Sequence, residues 1–156
     1  MEKSIIEEIR QLTREFIEGN DDAKKRIDQL QLRLGETGGN IKELQNLHVA
    51  EVWESYDLLE QRGILKDLQG SAILHHRYES EGYEGSAFTV YTKDSKIYEV
   101  HGSHCSCFGL EDQWEPEETT IAALKLRVPD PGSNEKPSEY QQEVLSILNK
   151  LVGRCE

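Results

Sequence analysis

The sequence predicts an α+β protein: about three N-terminal helices, then a small antiparallel β-meander or hairpin, a short helix and a C-terminal helix. Two observations carry this expectation. Apolar residues recur at helical spacing through residues 1–62 and again near the C-terminus. Between them, after Gly70, β-branched and aromatic residues cluster between polar turns. A chain of 156 residues is long enough to bury a core without disulfide help. Residues 1–62 read as a helical region, 63–128 as a small sheet with a Cys/His loop, and 129–156 as a linker and C-terminal helix. One compact domain is expected.

Ser4 and Glu7 form a capping-box pattern ahead of Ile5, Ile6, Ile9, Leu12, Phe16 and Ile17, which fall near helical spacing. Gly19-Asn20-Asp21 supplies a stop and a fresh cap. A second helix is predicted from Asp22 to about Leu34, ended by Gly35 and Gly38-Gly39. Asn40 with Glu43 opens a third, the longest, running to about Gln61, with Gly63 as its C-cap. Its apolar side holds Ile41, Leu44, Leu47, His48, Val52, Trp53, Tyr56 and Leu59. No such stripe is stable alone, so these helices must pack on one another, on the sheet or on a second copy. A homodimer is one way to cover them.

Residues 72–78 read as a weak strand. Residues 86–92 are a stronger one, Lys93-Asp94-Ser95-Lys96 is a polar turn, and Ile97–His101 is the returning strand. Gly102–Pro116 reads as irregular. Glu117–Thr120 leads into a short helix from Ile121 to about Leu126, and residues 128–134 form a Pro/Gly linker. Ser138 and Gln141 cap the last helix, whose stripe is Tyr140, Val144, Leu145, Ile147, Leu148, Leu151 and Val152.

Acids outnumber bases 30 to 18, a net charge of −12 spread along the chain. Such a surface repels phosphate backbones and anionic lipid, which argues against direct nucleic-acid or membrane binding and favours a protein partner with a basic surface. No apolar run approaches the roughly 20 residues that span a bilayer. The acidic N-terminal run does not resemble a secretion signal. Cys105, Cys107 and Cys155 are an odd set, unlike a secreted disulfide framework. An intracellular, cytoplasmic protein is expected.

The unusual stretch is 98–116, which gathers histidines, cysteines, glycines, a tryptophan and acids after a strand. Three chemistries compete for it. His101, His104, Cys105 and Cys107 are a nominal zinc set, with His75 and His76 able to complete it if the first strand lies beside the loop. No other cofactor is expected. Cys105 or Cys107 beside His101 or His104, oriented by Glu111 or Asp112, would suit a cysteine enzyme, although no nucleophile elbow or phosphate loop accompanies them. Otherwise the loop is structural: the cysteines pack, Gly102 and Gly109 permit tight turns, Trp114 plugs the sheet, and Glu111, Asp112, Glu115, Glu117 and Glu118 are a solvated acidic rim. If the loop instead meets a protein partner, Phe108, Glu111, Asp112, Trp114 and Glu115 are the candidate partner-binding rim.

The run Gly102-Ser103-His104-Cys105-Ser106-Cys107-Phe108-Gly109-Leu110-Glu111-x-Gln113-Trp114-Glu115-Pro116 resembles a segment recurring in small phage, prophage and bacterial proteins of unassigned function. The resemblance implies a mobile-element accessory protein and transfers no catalytic or ligand residues. The expectation is therefore a non-enzymatic acidic protein that binds and inhibits a host defence or nucleic-acid-handling protein. A zinc-organised binding module and a cysteine enzyme are the alternatives.

Overall fold

The computed structural model describes residues 2–35, 41–105 and 109–154, with the side chains of 2–4 and 152–154 outside that description. The helices precede a four-stranded antiparallel sheet, and a short and a C-terminal helix follow it, an α+β arrangement. The chain divides into two compact units, one of Met1–Gln69 with Phe108–Trp114, the other of Gly70–Cys107 with Glu115–Glu156. This division differs from the three sequence regions. The C-terminal helix belongs with the sheet, and the second half of the loop belongs with the N-terminal helices.

In the helical unit, α1 (Glu2–Ile17) buries Ile9, Phe16 and Ile17. It begins ahead of Ser4, whose capping side chain lies outside the described residues. Gly19, at φ 124°, ends it in a conformation other residues rarely adopt. Asn20 then caps α2 (Asp21–Leu34), its side chain accepting from the Asp22 amide at 3.1 Å, close to the predicted start. Arg62 joins this corner to a later helix. Its guanidinium donates to the Phe16 carbonyl at 2.6 Å, lies 5.1 Å from the Phe16 ring centre and pairs with Asp21.

The long third helix is two. α3 (Lys42–Trp53) stops at Glu54, and α4 (Leu58–Leu68) restarts after Asp57. The reason is local hydrogen bonding. The buried Glu54 carboxylate accepts from the Tyr56 and Asp57 amides, and Asp57 accepts from Leu59 and Glu60, capping α4. The predicted stripe consequently fails past Trp53: Tyr56 is 94% exposed and Leu59 70%, while α4 buries Gln61, Ile64, Leu65 and Leu68 instead. His48 is also exposed, not core-facing, and Gly63 sits inside α4 rather than ending it. Ile41 occupies the N-cap of α3, and the Asn40 cap and Gly38-Gly39 lie outside the described residues.

In the sheet unit, β1 (Ala72–Glu81), β2 (Glu84–Lys93), β3 (Lys96–His104) and β4 (Glu117–Thr119) run in sequential order, each antiparallel to the next. The predicted 93–96 turn is present, with Asp94 and Ser95 both at positive φ, as a tight two-residue hairpin requires. A second tight turn at Gly82-Tyr83 lengthens β1 and β2, and β3 follows β2 as far as His104. His104 is therefore a strand residue rather than part of an irregular loop. β4, expected as a lead-in to the helix, pairs with Ile97–Glu99. Thr120 caps α5 (Ile121–Lys125), and Ser138 and Gln141 exchange the predicted reciprocal hydrogen bonds at the start of α6 (Glu139–Arg154). α6 and α5 close over one sheet face, burying Leu74, Phe88, Val90, Leu124, Val144, Ile147, Leu148 and Leu151.

Candidate functional site

The partner-binding rim is split by the structure. Leu110, Glu111, Asp112 and Trp114 belong to the helical unit and Glu115 to the sheet unit, while Phe108 and Cys107 lie outside the described residues. Within the helical unit Trp114 is an anchor. It stands edge-on to Trp53, ring centres 5.5 Å apart, and its Nε1 donates to Asp67 at 2.8 Å. Gln113 ties the turn to Gly109 and Leu110 through two further hydrogen bonds. The Glu111 carboxylate accepts from its own amide and that of Gly109, which holds its pKa below the ordinary carboxylate range.

In that anchored turn Asp112, expected at the rim, joins an anionic cluster whose other members, Glu54, Asp57 and Glu60, the sequence did not single out. Asp112, at φ 64°, shares a hydrogen bond with Glu60 at the start of α4. This hydrogen bond, slight burial and the like charges of Asp112, Glu54 and Asp57 push the Glu60 carboxyl up to about 7. The missed signal was Asp57-Leu58-Leu59-Glu60, an acid at a cap followed three residues later by glutamate.

Among the described residues, the nominal zinc ligands do not converge. His101 and His104 lie on opposite faces of β3 by strand alternation. His101 Nε2 is 2.6 Å from the Glu99 carboxylate, and its ring stacks on Phe88. His104 stacks on Tyr78, whose hydroxyl is 3.2 Å from Nε2. His75 and His76 are on β1, which β2 separates from β3. His75 meets Glu143 and His76 meets Thr89. Cys105 is half-buried just past β3. Among the described residues, no group of three or more His, Cys, Asp or Glu side chains is placed to hold a metal ion. The imidazole orienters assigned from sequence, Glu111 and Asp112, have other partners, and Glu99 orients His101 in their place.

Glu99 is the centre of a buried polar network that composition concealed. It is only 5% exposed, receives two 2.8 Å hydrogen bonds from Arg127, and Arg127 also donates to the Tyr140 hydroxyl at 2.9 Å. Burial alone would raise the Glu99 carboxyl, but hydrogen bonds from Arg127 and His101 outweigh it and lower the pKa to about 2. Its legible signal was the acid within Ile97-x-Glu99-x-His101, the period-2 row that faces α5 and α6.

At the tip of the first hairpin, an open cavity of 970 Å³ is lined mainly by Tyr78, Glu79, Ser80, Glu81, Glu84 and Gly85. Gly85 is required there because a Cβ would collide with the His104 ring and the Glu79 carbonyl. Gly85→Ala is therefore expected to displace His104 from Tyr78. Loss of the His104 ring-proton shifts caused by Tyr78 in an NMR spectrum checks this, and an unchanged spectrum would refute it.

No helix among the described residues is long and apolar enough to cross a membrane. No family model, curated protein or solved structure matches this chain.

Proposed function

We propose that the chain is a non-enzymatic interaction protein that presents an anionic, aromatic-bearing surface to a basic surface on a protein partner. The segment resemblance implies a mobile-element accessory protein; together with the acidity, it supports a host defence or nucleic-acid-handling protein as the partner that the chain inhibits. The observation that supports this reading is the Glu60–Asp112 carboxyl pair. Glu60 holds its proton up to about pH 7 because it shares a hydrogen bond with Asp112, is slightly buried and feels the like charges of Asp112, Glu54 and Asp57. A lysine or arginine arriving from a partner would relieve that repulsion. Exposed Tyr56 and Leu59, on the adjoining turn and helix start, supply apolar anchors of the kind that carry interface energy.

The expected pH behaviour follows from the sign of the shift. Glu60's folded pKa is raised, so its contribution to stability is full below its ordinary 4.5 and is lost as pH rises through about 7. Binding to a cation runs the other way: it needs the ionised form, so affinity should rise from pH 6 to pH 8 with release of a proton. The test is retention of proteins from a bacterial cytosolic extract on the immobilised chain. A specific protein should be held at low salt, released at raised salt, and held several-fold less by Glu60→Gln combined with Tyr56→Ala. No retained protein, or retention indifferent to salt and to the double variant, would overturn the reading.

A further inference from the structure

We propose that the outer edge of β1, over Arg77–Glu81, is a second docking site, which takes an extended basic segment of a protein partner as an added, fifth strand. The sheet order leaves β1 at the edge. The Glu81↔Glu84 pair closes a two-residue turn, so it is hydrogen-bonded, and alternate pairs back along the hairpin follow it. Glu81, Glu79 and Arg77 thus spend their backbone groups on β2. Tyr78 and Ser80 point their N–H and C=O groups away from the sheet, and both residues are exposed, Tyr78 by 46%.

The other end of the same edge is guarded. Leu74 forms a bulge, and Lys150 on α6 donates to its carbonyl at 2.6 Å. Bulges and lysines are the usual means of blunting a strand edge. Over residues 77–81 neither occurs. Instead Glu79 and Glu81 project from one face, with Glu84 across the turn, beside the open cavity. Arg77 offsets this only partly. Its guanidinium is 2.7 Å from Glu143 and 3.7 Å from Glu79, whose side chain remains 66% exposed. The chain's net charge of −12 disfavours a second copy as the occupant. A strand with lysines at alternate positions would set them opposite Glu79 and Glu81, while its intervening residues bonded to the backbone of Tyr78 and Ser80.

The probe is the synthetic peptide acetyl-Lys-Val-Lys-Thr-Lys-Val-Lys-amide, titrated into the full chain and followed by amide shifts. Binding should perturb residues 76–81 and weaken with salt. Ser80→Pro should bind about tenfold more weakly, because it removes one outward donor and obstructs pairing. It should still fold, since that N–H does not serve β2; circular dichroism checks this. Methylating the peptide nitrogens of Val and Thr should abolish binding, and methylating those of Lys should not. Glu79→Gln with Glu81→Gln should weaken binding and flatten its salt dependence. Only the 76–81 amides report on this edge, while the site proposed above would report at Tyr56–Glu60 and Asp112, so the two sites stand or fall separately. Equal binding by Ser80→Pro and by the Val/Thr-methylated peptide would reduce the site to surface charge and overturn strand addition. Absence of any peptide binding would do the same. So would a dimer in sedimentation that Ser80→Pro dissociates, since the occupant would then be a second copy.

Discussion

Replacing Arg127 by methionine is expected to destabilise the protein by about 3–5 kcal/mol, because it leaves the Glu99 carboxylate buried without its main partner. Removing both members should be far milder. Glu99→Gln with Arg127→Met exchanges a desolvated ion pair for neutral groups, and double changes of this kind often come out near neutral. Denaturant unfolding of the two single variants and the double variant measures this coupling. If the single changes simply add, the network is not what holds that side of the sheet unit. The pH dependence carries the same information. Glu99's folded pKa is depressed to about 2 from an ordinary 4.5, so its contribution is complete above 4.5 and drains away as pH falls towards 2. Wild type should therefore lose stability across that window, by about 3 kcal/mol from this residue, while the double variant loses less.

Trp53→Ala should cost about 3–5 kcal/mol, from the size of the buried ring and the cavity left behind. Trp53 is 1% exposed and is the surface against which Trp114 stands. The variant has a local readout as well, since the chain has two tryptophans and only Trp114 remains. Its emission should shift to the red as the 109–114 turn loses its backing. If emission stays where it was, polar contacts such as Trp114 to Asp67 and Asp112 to Glu60 hold the turn without Trp53. Wild type and Trp53→Ala compared by fluorescence and by urea melts decide between the two.

The parts of this fold that sequence made legible are those where local chemistry and tertiary packing agree. Asn20, the Asp94-Ser95 turn and the Ser138/Gln141 box each satisfy their own backbone, so nothing distant could override them. The break at residues 54–57 was hidden for the opposite reason. Trp53 and the apolar residues before and after it can be placed on a single stripe, and only the Glu54 carboxylate, turned inward to its own chain, cancels that stripe. β4 was hidden because three residues, two of them glutamates, carry no strand pattern of their own and owe their conformation to Ile97–Glu99. For the candidate site, proximity in sequence misled. His101 and His104 look like neighbours in a loop, yet strand alternation sends them to opposite faces. Glu60 and Asp112, which share a hydrogen bond, are distant along the chain.

The way the backbone weaves between the two units bears on how the protein is made. The helical unit has its first four helices within Met1–Gln69 but receives Leu110 and Trp114 only with Phe108–Trp114. On the ribosome, Trp53 must therefore wait for its aromatic neighbour until three strands of the sheet have already emerged. Assembly from the N-terminus onward cannot finish the first unit before the second is under way, so the two are bound together in biogenesis as steps of one process.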